Sequence, residues 1–232
     1  MDEPKQLRLE FPERAPKRDD LIVTDCNKAA ASAAFAWQEW PSNLLCIFGP
    51  PSCGLSLLSR IWASDANAVR MTNSFVDSAD TIGIRAFAEQ NGVIDRADAI
   101  TNEESLLAAI NFSMENGRRL LLTSRTQPAS WHFESADLRS RLANITAIAI
   151  EPPDDEMVLK RLVSACQQRF IRLNAEEANY IMLRIEKSYV AIEDYVQRLE
   201  RAATAAGRAP SVHLARSVLE EGADTRKLFH DL

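Results

Sequence analysis

The sequence predicts an α/β fold: a parallel-sheet αβα domain followed by a small all-α domain. Three observations carry this. Between about residues 21 and 150, short apolar runs alternate with helical patterns, as strands joined by crossover helices do. After Pro152-Pro153 the apolar residues recur only at helical spacing. Before residue 21 the chain is too polar to build a core. The expected division is a flexible tail over 1–20, an αβα domain over 21–152 and a helical domain over 153–232.

The tail has eleven charged residues and three prolines among its twenty. In the middle segment, Leu44-Leu45-Cys46-Ile47-Phe48 reads as a buried strand and Gly92-Val93-Ile94 as a weaker one. Leu120-Leu121-Leu122-Thr123 and Ala147-Ile148-Ala149-Ile150 are two more. In the last segment Val158, Leu162, Cys166 and Phe170 recur every four residues, predicting one helix. Asn174 with Glu177 forms a capping-box pattern ahead of Ala178, Ile181, Met182 and Ile185. Tyr189, Ile192, Val196, Leu199 and Ala203 mark a third stripe, and Pro210-Ser211 to Gly222 brackets a fourth helix.

Composition narrows the function classes. Hydrophobic residues make up 46% of the 232, enough for a core without disulfide or metal staples. The net charge of −6 argues against a free-standing duplex-DNA-binding domain, which carries a basic face. The four cysteines form no CxxC pair and His132, His213 and His230 are scattered, so no zinc site is expected. No apolar run suits a signal peptide or a membrane span, which points to a reducing cytoplasm.

The predicted strand 44–48 runs into Gly49-Pro50-Pro51-Ser52-Cys53-Gly54-Leu55-Ser56 and then a helix. This fits the phosphate-loop frame GxxxxGK[ST], with Leu55 at the lysine position. Backbone N–H groups there can still cradle phosphate, but the ammonium that neutralises it is missing. Taken alone, the segment is also an ordinary strand-turn-helix. After the strand at 92–94, Asp95 suits a metal, with Ser56 its weak companion. Arg96 stands where a second acid would orient water. The chain is therefore expected to hydrolyse no ATP of its own.

The order of these pieces resembles the DnaA/Hda family of AAA+ proteins, closest to alphaproteobacterial Hda-like members. Asp20-Leu21-Ile22-Val23 with Asn27-Lys28-Ala29-Ala30 looks like the family's adenine-contacting segment. Trp62-Ala63 after the loop fits Hda. Leu121-Leu122-Thr123-Ser124-Arg125, then Pro128 and Trp131, is similar to the sensor-1 strand. Leu138-Arg139-Ser140-Arg141-Leu142 resembles the arginine-finger box, with Arg141 at the finger position. Glu151 to Glu156 resembles the approach to the lid, and Arg184 to Ser188 the sensor-2 segment, with Lys187 in place of the usual arginine. The likeness spans about residues 5–222.

The resemblance implies an adenine nucleotide site formed by Ile22, Val23, Asn27, the loop residues 49–56, Asp95, Thr123 and Lys187. Its ligand would be ADP or ATP with Mg²⁺, weakly bound, or no nucleotide at all. Hda-like proteins begin with a peptide that docks on the DNA polymerase sliding clamp, and Gln6-Leu7-Arg8-Leu9-Glu10-Phe11 looks like one. Gln6 offers polar contacts, and Leu7, Leu9 and Phe11 offer apolar ones to a groove. DnaA continues past its lid into a DNA-binding domain, whereas this sequence stops at Leu232, as Hda does. The expected partners are the clamp and DnaA, with a second copy of the chain a further candidate, and neither sequence-specific DNA binding nor membrane contact. The implied function is control of replication initiation, with Arg141 acting in trans on ATP held by DnaA. The alternatives are a non-catalytic adaptor that blocks DnaA or Hda, an ATPase with an unconventional pocket, and a duplex-DNA binder.

Overall fold

A computed structural model describes residues 15–205 and 213–220. Five strands, β1 (Leu44–Phe48), β2 (Val69–Thr72), β3 (Gly92–Asp95), β4 (Leu120–Ser124) and β5 (Thr146–Ala149), form one sheet in the order β2-β3-β4-β1-β5. Every neighbouring pair is parallel, with Leu45 beside Leu121 and Ile47 beside Thr123. The four expected strands are present. β2 was not expected, because it is an edge strand in which Met71 alone is buried, leaving no apolar run to read.

Side chains along β1 alternate between two cores, as the period of two requires. Leu44 and Cys46 join Ile94, Leu120 and Leu122 under α3 (Asn73–Ser78), α4 (Thr81–Phe87), α5 (Glu103–Glu115) and α6 (Ala136–Ala143). Leu45 and Ile47 join Val93 and Leu121 on the other face, under α1 (Lys28–Phe35) and α2 (Leu55–Asp65). There Trp62 stacks on Trp40 with ring centres 5.5 Å apart.

The third core belongs to α7 (Asp155–Gln168), α8 (Ala175–Met182), α9 (Tyr189–Ala205) and a helical stretch over 213–220. The expected capping box is formed: Asn174 Oδ1 accepts from Glu177 N and Glu177 Oε2 accepts from Asn174 N. Tyr195 Oη and Arg198 donate to the carbonyls of Ala215 and Val218, fastening the last stretch. The proposed boundaries of that fourth helix, Pro210-Ser211 and Gly222, lie outside the described residues. Phe170 departs from the predicted stripe. Helix α7 stops before it, Phe170 takes a left-handed φ of 58°, and Ile171 turns inward to occupy the buried place. Phe170 itself is 95% exposed.

Asp154 and Tyr189 help to join the helical domain to the αβα domain. Asp154 caps α7 through Met157 N, and its other oxygen accepts from Thr24 Oγ1 and Cys26 N. Tyr189, from α9, is buried in the α1/α2 core and donates to the carbonyl of Glu151. All four cysteines are buried and free. Among the described residues, no helix is long and apolar enough to cross a membrane.

Candidate functional site

The C-terminal ends of β1, β3 and β4 meet along one rim, where parallel sheets place their ligands. From β1 the chain enters the glycine loop. A side chain at Gly49 would come within 3.0 Å of Cys53 Sγ and of Ile150, so the loop closes tightly there. Gly54 has a φ of 103°, which an L side chain adopts only with strain, and it starts α2. The N-cap Gly54 has no side chain to cap α2, and a helix N-terminus of this kind favours an anion. Leu55, half-buried against the α2 core, opens that helix in the lysine's place.

Loop and rim enclose a cleft of about 280 Å³. Pro50 and residues Ser52 to Ser56 form one wall, and Asp95 with Thr123 forms the floor. Thr123 Oγ1 donates to Asp95 Oδ1 over 3.2 Å and accepts from Arg96 N. Asp95 Oδ2 is paired with the guanidinium of Arg70 from β2. Both oxygens of the expected metal carboxylate are thus engaged. Among the described residues no group of three or more His, Cys, Asp and Glu converges on one point.

Three arginines line this cleft: Arg96, Arg125 and Arg161. Arg161 reaches down from α7, donates to the Ser52 carbonyl over 3.0 Å and lies over the Tyr189 ring at 5.3 Å. Burial pushes the Cys53 thiol up, although the positive charges of Arg125 and Arg161 act on it in the opposite sense. A second hollow of about 170 Å³ opens beside the first, where Leu21, Ile22, Leu57 and Tyr189 face Asp20, Ser164 and Gln168, and the two share Cys53, Arg161 and Glu193.

Other expected site residues have different placements. Ile22 lines the second hollow, whereas Val23 lies only on a wider one with Leu159 and Val163. Asn27 is buried; its amide accepts from Thr24 N and donates to the Ile22 carbonyl, holding the segment in shape. Pro51 is exposed on the outside of the loop. Lys187 is not among the cleft residues: its ammonium pairs with Asp155 Oδ1 at 2.6 Å, at the start of α7. Gln6, Leu7, Leu9 and Phe11 lie outside the described residues.

The arginine pair on α6 divides sharply. Arg139 donates to the carbonyls of Phe133 and Glu134, both at 2.7 Å, and so fastens the segment leading into its own helix. Arg141 is exposed, and among the described residues no hydrogen bond or ion pair engages its guanidinium. The helix packs through Leu138 and Leu142 on the sheet face opposite α2.

No protein-family model matches the chain. Solved structures do match. Domain III of the Thermotoga maritima replication initiation protein DnaA aligns over 88% of this chain and 95% of its own length, with a TM-score of 0.72 and 18% identity. The chain has the AAA+ fold. AMPPCP-bound DnaA from Aquifex aeolicus aligns over 81% of this chain and 66% of its own, at a TM-score of 0.67 and 16% identity. The Thermotoga maritima RuvB Holliday junction branch migration motor covers 87% and 70%, at 0.64 and 17%. At such identities the likeness is one of fold.

Sequence reasoning assigned no role to Arg161 or Tyr189, which belong to the helical domain and reach the site only by folding. Arg125 carried a usable signal, since it directly follows β4 at the rim where ligands gather.

Proposed function

We propose that this chain is a DnaA-related regulator of chromosomal replication initiation. It binds the DNA polymerase sliding clamp through Gln6, Leu7, Leu9 and Phe11 and promotes inactivation of ATP-bound DnaA with Arg141 supplied in trans. The observation that carries this reading is the contrast within α6: Arg139 is consumed by its own backbone, while Arg141 is exposed and uncommitted. An arginine suits the role because it stays charged and offers a planar fork of donors to phosphate. The fold shared with DnaA makes a DnaA-like partner the natural neighbour. We infer further that the arginine-lined cleft and the hollow beside it take an adenine nucleotide, the class bound by the AMPPCP-loaded DnaA structures.

The test is hydrolysis of DnaA-bound ATP with clamp loaded on DNA, with and without this chain. Wild type should accelerate it, and Arg141→Ala should remove the acceleration while the thermal midpoint holds. Arginines supplied in trans give roughly 10³–10⁵ in well-studied GTPases, an upper bound for a slow switch. Equal stimulation by Arg141→Ala removes the finger assignment. Slower hydrolysis with wild type present favours a blocking adaptor.

A further inference from the structure

We propose that the cleft holds nucleotide phosphate through Arg125 and Arg161 instead of the missing loop lysine, and does so without magnesium. This rests on the inference that the cleft takes an adenine nucleotide, and is independent of the clamp and DnaA.

The loop retains its backbone cradle but lacks its cation, because Leu55 fills the lysine position with an apolar side chain. Two guanidiniums from other elements border the same space. Arg125 stands at the end of β4, half-buried; Asp98 Oδ2 accepts from its backbone N at 3.0 Å, and no described residue engages its side chain. Arg161 is fixed from above by the Ser52 carbonyl and the Tyr189 ring. Planar forks of donors that stay protonated fit phosphate oxygens bidentately, which a lysine does not.

The acids of the cleft do not cancel this charge. Asp95 is neutralised by Arg70 and hydrogen-bonded by Thr123. Glu193 is paired with Arg169 at 2.6 Å. Arg96 occupies the second acid position, 3.4 Å from Asp98. A magnesium ion binds through one or two carboxylates with its waters and the substrate phosphates. Here the suitable carboxylate already holds a guanidinium, and the nearest free charges are positive. The residues present do not fit the metal, and they supply its electrostatic part in another form.

The experiment titrates the full chain with ADP carrying a fluorescent mant group on the ribose, in magnesium and in EDTA. The two affinities should agree within about twofold. Arg125→Ala and Arg161→Ala should each weaken binding tenfold or more, and Arg125→Lys should fall between. Arg125→Ala is the decisive variant, since no hydrogen bond or ion pair among the described residues engages its side chain; an unchanged thermal midpoint verifies the fold. Three results overturn the proposal: a tenfold loss in EDTA, wild-type affinity in Arg125→Ala, or no binding by wild type at millimolar ADP. The last also removes the nucleotide reading, whereas the first two leave it standing.

Discussion

In the cleft beside the glycine loop Arg161 is supported by the fold around it; on α6, Arg141 stands clear of it. Arg161 leans on a carbonyl and a tyrosine ring, and Arg125 is anchored through its backbone at the end of a central strand. Arg141 extends from a short helix, exposed, and no hydrogen bond or ion pair among the described residues engages its guanidinium. A ligand that must be retained needs groups already in position, because each side chain ordered on binding costs about 0.5–1.5 kcal/mol. A group meant for another protein's phosphate has to remain uncommitted until that protein arrives. The same residue type thus has two settings, and they can be disturbed separately.

The largest separation should come from Asp154, which ties α7, and with it Arg161, to the Thr24–Cys26 segment. Asp154→Ala should lower stability by about 2–3 kcal/mol, from a lost helix cap and two further hydrogen bonds. It should also weaken mant-ADP binding while leaving trans stimulation, per folded molecule, unaffected; calorimetry and the two assays together check this. Burial opposes ionisation of Asp154, but bonds from Met157, Thr24 and Cys26 outweigh it and hold the carboxyl below the usual carboxylate range. Its contribution is therefore present above the unfolded-state value and is lost as pH falls through the lower folded value. Asp77, which accepts from Thr101 N and Asn102 N, is depressed in the same direction. An acid melting series on wild type and Asp154→Asn should show the mutant losing less stability over that window.

A smaller effect is expected from Arg139→Ala, the structural partner of Arg141. Losing its two bonds to the 133–134 carbonyls should cost about 1–2 kcal/mol in a denaturant titration. Stimulation of the partner should survive; its loss would mean that the two arginines act as a unit. The smallest and most specific change is Arg70→Ala. Freeing one oxygen of Asp95 should make mant-ADP affinity respond to magnesium by a few-fold, where wild type does not respond.

Much of this architecture was legible because it is local. The apolar runs of β1, β3, β4 and β5 announce themselves, as does the Asn174–Glu177 box, and the glycine loop needs only its strand before and helix after. What was hidden depends on elements distant in sequence. β2 carries one inward residue, so it exists by pairing with β3 rather than by its own pattern. Phe170 keeps the four-residue spacing while the helix beneath it ends, and spacing alone cannot register a left-handed turn. The cleft shows both sides: Leu55 and Arg96 advertise what is missing, whereas the replacement by Arg161 becomes visible only when α7 folds over the loop more than a hundred positions earlier.

Tyr189 ties these observations to heat. It is rooted in α9, yet its ring is counted among the residues of the α1/α2 core and its hydroxyl reaches the 151 carbonyl. Peeling the helical domain away would leave a cavity the size of a tyrosine beside Cys26 and Cys53, and truncating buried aromatics of this kind costs about 3–5 kcal/mol. Two bodies that share a buried side chain do not melt one after the other. A calorimetric scan of this chain should therefore show a single peak.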